Sequence, residues 1–104
     1  MNITFLKNGE TKTYTQLFVS ARYMRKAMEL RKKINLNNLS MDDVDTVANF
    51  VVDVFDKQFT SDELFDGLSY DNLVDTIFDD IFMVIMQGRK QPVKNDEGDE
   101  KKQE

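Results

Sequence analysis

Asp42, Asp43 and Asp45 stand within one helical turn of each other, and Asp71, Asp75 and Asp79 recur at intervals of four with Asp80 beside the last. Carboxylates grouped in this way can hold a divalent cation or share a proton in acid–base work. Their surroundings argue against both. Asp42-Asp43-Val44-Asp45 lacks the glycine at the sixth position and the glutamate at the twelfth that a calcium loop needs. The regular spacing of Asp71, Asp75 and Asp79 describes one solvated ridge of a helix. The chain has no His and no Cys, which removes the usual general base, the thiol nucleophile and the commonest transition-metal ligands. Its serines and threonines have no imidazole to activate them. Gly9, Gly67, Gly88 and Gly98 are isolated, so no glycine-rich phosphate loop exists. No catalytic, metal-binding or cofactor-binding residues are assigned, and the reading is of a non-enzymatic chain without cofactors.

The cations tell more. Residues 1–34 carry a net charge of +6, residues 35–87 a net −11, and residues 88–104 balance to zero, within a total of −5. Arg22, Arg25, Lys26, Arg31, Lys32 and Lys33 crowd one stretch. Such a set can bind phosphates. The acidic total and the lack of interleaved aromatic residues weigh against nucleic acid. Pairing with the acidic segments or with an acidic protein partner fits better.

These charges sit on elements that the pattern of apolar residues locates. Asn2–Leu6 and Thr11–Thr15 are β-branched and aromatic, and Asn8-Gly9 between them suits a tight hairpin turn. Alternation puts Ile3 and Phe5 on one face with Tyr14 across from them. Ser20 caps a helix to about Lys33, with Val19, Tyr23, Ala27, Leu30 and Ile34 as its stripe and Met24 and Met28 at its edge. Ser40 starts a second helix, and Asp42 and Asp43 in its first turn complement the helix dipole. Its stripe of Val44, Val47, Ala48, Val51, Phe55 and Phe59 is widened by Phe50, Val52 and Val54, which predicts enclosure on two sides. Thr60 or Ser61 can cap a short third helix ending near Gly67, and Thr60 with Glu63 completes a capping box where Ser61 with Leu64 does not. Ser69 opens a fourth, to about Gln87, with Val74, Ile77, Phe78, Ile81, Phe82 and Ile85 inside and Gly88 as C-cap.

The expected fold is therefore mainly α (α+β): a short N-terminal β-hairpin packed on three to four α-helices. Residues 1–87 form one helical domain, and 88–104 a disordered polar tail. A folded part of that size is marginal alone and gains from a partner. Six methionines, with Met24, Met28, Met83 and Met86 on or beside helical stripes, suit either core filling or adaptable apolar contacts. The longest uninterrupted apolar run, Ile81–Met86, is far too short to span a bilayer, and no signal pattern opens the chain. A soluble intracellular chain with no membrane partner is expected.

Three segments together resemble the tail assembly chaperones of long-tailed, siphovirus-type bacteriophages of Gram-positive hosts. They are ITFLKNGETKTYT, then FVSARYMRKAMEL, and the acidic-hydrophobic pair DDVDTVANFVVDVFDKQFT and LSYDNLVDTIFDDIFMVIM. The resemblance implies binding to the phage tape measure protein in the host cytoplasm, keeping it soluble until tail tube protein polymerises around it. The chaperone would then be absent from the mature virion. Homo-oligomerisation, and contact with tail tube protein through a frameshifted longer form, belong to the same picture. Tyr23, Met24, Met28, Phe82 and Met86 are the candidate apolar contacts, and Arg22, Arg25 and Lys26 the steering cations. The alternatives are a structural head–tail or tail completion protein, and a small nucleic-acid-binding regulator that uses the basic first helix.

Overall fold

In the computed structural model, which describes residues 1–91, the hairpin forms where alternation predicts it. Strands β1 (Asn2–Lys7) and β2 (Glu10–Thr15) pair antiparallel, with Ile3 opposite Tyr14 and Phe5 opposite Lys12. Asn8 (φ 55°) and Gly9 (φ 82°) are both left-handed, as a two-residue turn matched to strand twist requires. Ile3, Phe5 and Tyr14 are buried. Phe5 stacks on Tyr14 with centroids 5.1 Å apart, and Phe59 meets both rings edge-on at 5.2 and 4.9 Å.

Four helical regions follow: α1 (Ala21–Arg31), α2 (Met41–Val54), α3 (Ser61–Gly67), and a run made of α4 (Tyr70–Val74), a π-helical segment (Asp75–Phe82) and α5 (Met83–Met86). The mainly α architecture with an N-terminal hairpin is the one expected. Of the tail expected to be disordered, 88–104, residues 92–104 lie outside the described residues, whereas 88–91 are placed, with Gln91 bonded to Asn2.

Capping sets the helix starts. Thr60 Oγ1 accepts from Glu63 N–H at 3.1 Å while Glu63 Oε1 accepts from Thr60 N–H at 2.9 Å, the reciprocal box foreseen. Ser40 and Asp43 form a second box at 3.1 and 3.2 Å, with the shorter aspartate in the usual glutamate role. The end of α2 departs from expectation. Its apolar stripe continues to Phe59, but the helix stops at Val54 because Asp56 (φ 55°) and Lys57 (φ 59°) turn left-handed, and Lys57 N–H bonds to Val52 O at 2.9 Å. That turn redirects the chain so that Phe59 still reaches the core.

The π-helical segment was also not foreseen. Met83 N–H reaches back five residues to Phe78 O. Ile77, Ile81 and Ile85, with Phe78 and Phe82, are buried at intervals of four. In a pure α-helix, at about 3.6 residues per turn, residues four apart drift by about 40°, so the row would keep to one face but wind along it. The wider i→i+5 turns hold it in phase. Val74, expected in this stripe, precedes the change of phase and is exposed.

α2 lies on the π-helical segment, α1 on α5, and α3 on β1. The close approach of α3 to β1 depends on Gly67, where a Cβ would collide with the Leu6 carbonyl and the Phe5 ring. Beyond Gly88, Gln91 accepts from Asn2 N–H at 2.7 Å and donates to Asn2 O at 2.8 Å, so its amide stands in for a strand on the outer edge of β1. At the seam between β1 and α3, Lys7 pairs with Glu63 at 2.8 Å.

Three outcomes follow from this packing. Gly67→Ala should destabilise the domain by about 1–3 kcal/mol, since backbone and a buried ring must yield. Among the described residues the buried Tyr14 hydroxyl makes no hydrogen bond of good geometry, although the Lys7 ammonium stands close enough to interact with it, so Tyr14→Phe should change stability by less than about 1 kcal/mol. Urea denaturation measures both. The Lys7 ammonium, and then the Thr60 N–H, hold the Glu63 carboxyl below its usual range. A carboxyl lowered in the folded state stabilises fully above its unfolded pKa, and that contribution fades as pH falls through the folded value. The stability gap between wild type and Glu63→Gln should therefore narrow from about pH 7 to about pH 3.

Candidate functional site

α1 supplies most of the sequence-predicted residues, and the fold divides them. Its buried face carries Ala27, with Tyr23 and Leu30 half-buried against the core. Tyr23 is committed to structure. Its hydroxyl donates to Asp53 O at 3.2 Å, and its ring meets Phe50 edge-on at 6.1 Å. Phe82, expected as a contact residue, is fully buried between Phe50 and Phe78 and offers nothing to a partner. The intervals of four that seat the π-helical segment in the core explain why. Met86 is half-buried against the core.

Met24 and Met28 remain on the surface, 36% and 48% exposed. They lie one turn apart on the edge of α1 toward the chain end, and a Cβ at Gly88 would come within 3.3 Å of Met24 Sδ. At about 100° per residue, Arg25 falls on the same side as these methionines, together with Arg31 and Lys32. Arg22 and Lys26 share a ridge on the opposite flank. The predicted cation set is thus two sets, and only Arg25 stands beside the methionines.

The structure adds a pair that sequence reasoning passed over. Leu17 and Phe18 are 93% and 78% exposed. They are held rather than loose. On one side Gln16 is bonded to Met1 through both backbone groups, and its amide donates to Val54 O at 3.2 Å and Asp56 Oδ2 at 2.8 Å. On the other side Val19 packs on the core and Ser20 Oγ accepts from Arg22 N–H as the cap of α1. The available signal was two large apolar residues lying between a strand and a helix cap, fitting the period of neither.

Leu17 also forms one wall of a groove of about 730 Å³, shared with Ile3, Val19, Ile81, Arg89 and Lys90. Arg89 and Lys90 follow directly on Gly88, so the groove and the methionine edge are neighbours across that glycine. Among the described residues, Arg25, Arg31, Lys32, Arg89 and Lys90 form no ion pair. Across the molecule, Met41 is exposed beside Asp45 and Asp62, so a smaller apolar site carries the opposite charge. The arrangement can hold an apolar, charged polypeptide surface. Among the described residues no three carboxylates gather as a metal site, and no helix is long and apolar enough to cross a membrane.

Comparison with known proteins agrees with a binding role. No curated protein and no solved structure matches the chain. A family model described as phage tail chaperone protein matches residues 1–104, the full length of the sequence. The chain belongs to the phage tail chaperone protein family.

Proposed function

We propose that this phage tail chaperone serves a long-tailed, siphovirus-type phage of a Gram-positive host by binding the tape measure protein. It acts without catalysis, in the host cytoplasm, and leaves before the virion is complete. A tape measure protein made ahead of its tube exposes amphipathic helices, which aggregate unless covered. The observation that carries the reading is the apolar surface of Leu17, Phe18, Met24 and Met28, displayed by a domain whose core is otherwise closed. Leu17 and Phe18 are anchored on both sides, so they can act as fixed contacts at low entropic cost. The flexible methionines exposed on α1 accommodate varied apolar partners. Further copies of the chain, and tail tube protein through a frameshifted longer form, are additional partners in this reading.

Co-expression tests it. Wild-type chain should carry the tape measure protein into the soluble fraction. The double variant Leu17→Ser/Phe18→Ser should weaken that binding about tenfold, equivalent to ~1.4 kcal/mol. Its own stability should change by less than about 0.5 kcal/mol, because both side chains lie on the surface. A tape measure protein equally insoluble with and without the chain overturns the reading. So does mass spectrometry that finds the chain as a regular component of finished virions, an outcome that favours a head–tail or tail completion protein.

A further inference from the structure

The apolar surface has a charged frame, and the frame specifies what can lie on it. Met24 and Met28 are flanked on α1 by Arg25, Arg31 and Lys32, and across Gly88 by Arg89 and Lys90, all exposed. Among the described residues, Arg31 and Arg89 have side-chain hydrogen bonds, to Ile34 O at 3.5 Å and Gln87 Oε1 at 3.2 Å, and neither acceptor is charged. Among the described residues these five cations form no ion pair, and alongside Glu29 of α1 and Asp80 of the groove they leave a cationic excess around the apolar strip, in a chain whose total charge is −5. Acidic side chains are plentiful, but Asp45 of α2 and Asp62 of α3 lie at the separate site beside Met41. An uncharged apolar partner would leave this cationic rim unanswered, and a basic one would be repelled.

Resting on the tape measure reading above, we infer that the segment recognised is an acidic amphipathic helix. Its apolar stripe seats on Leu17, Phe18, Met24 and Met28, and its flanking carboxylates face Arg25, Lys32, Arg89 and Lys90. The shape supports a helix. Met24 and Met28 are one turn apart, a spacing that meshes with apolar residues three and four apart on a second helix. The missing side chain at Gly88 leaves room for Met24 Sδ, which a Cβ there would approach within 3.3 Å. Arg22 and Lys26, on the opposite ridge of α1, take no part.

That division gives a test with an internal control. Arg25→Glu/Lys90→Glu and Arg22→Glu/Lys26→Glu change the net charge equally, but only the first pair borders the apolar strip. Binding to the full tape measure protein is measured for the wild type and both variants, after circular dichroism has shown that each is folded. Wild-type affinity should fall about tenfold between roughly 50 and 500 mM salt, as screening shortens the reach of the charges. Arg25→Glu/Lys90→Glu should weaken binding about tenfold at low salt and flatten that salt dependence, while Arg22→Glu/Lys26→Glu stays within about twofold of wild type. Should Arg25→Glu/Lys90→Glu fail to fold, Arg25→Gln/Lys90→Gln should show a smaller loss in the same direction. Equal losses from both pairs, or none from either, overturn the inference and leave the tape measure reading standing. Failure of the wild type to bind overturns that reading instead.

Discussion

A two-stranded hairpin does not hold together alone in water, and this one depends on the meeting of Phe5 and Tyr14 with Phe59. That contact dictates much of the surrounding backbone. Phe59 can reach the hairpin only if α2 stops at Val54 and the chain turns through left-handed Asp56 and Lys57. α3 can close over β1 only because residue 67 has no side chain. Gln16 and Gln58 then tie the open end of the hairpin to the end of α2, through Val54 O, Asp56 and Thr15 O. Once both ends are fastened, the short connection into α1 has little freedom, and Leu17 and Phe18 project from it. Their exposure follows from the same aromatic contact that makes the fold possible.

Where a signal was local and periodic, the sequence was a good guide. The hairpin turn could be read from Asn8-Gly9, the third helix from Thr60 and Glu63, and the two-sided burial of α2 from the width of its apolar set. Failures came where tertiary packing overrode a local period. The stripe from Val44 to Phe59 reads as one helix, since nothing local marks Asp56 and Lys57 as left-handed. Those conformations are rare for residues other than glycine and must be held by their surroundings. The row from Ile77 to Ile85 fits α and π geometry almost equally in sequence, and only the shape of the core selects between them. Phe82 belongs to that core row under either geometry, and its burial removes it from the contact residues. Leu17 and Phe18 escaped notice because they belong to no period, and it is their exposure that marks them.

A domain this small has few large apolar side chains to spare from its core. The core here is already complete: Phe50, Phe55, Phe82 and their neighbours are fully buried, and among the described residues no polar residue is buried with them. Placing Leu17 or Phe18 inside would overfill it and detach Gln16 from α2. The exposed apolar residues are therefore surplus to folding, and they also differ in kind. Leu17 and Phe18 are stiff and anchored at both flanks, as suits a fixed point of contact. Met24 and Met28 are pliant and lie on a helix edge, as suits a surface that must fit more than one apolar shape. In the proposed complex the first pair sets position and the second tolerates variation along the partner. Charge separation then gives direction: a partner helix with acidic flanks is drawn to the α1 and Gly88 side and repelled from the acidic ridge of Asp71, Asp75 and Asp79. One short chain can thus be loose about apolar sequence while remaining strict about which face is used.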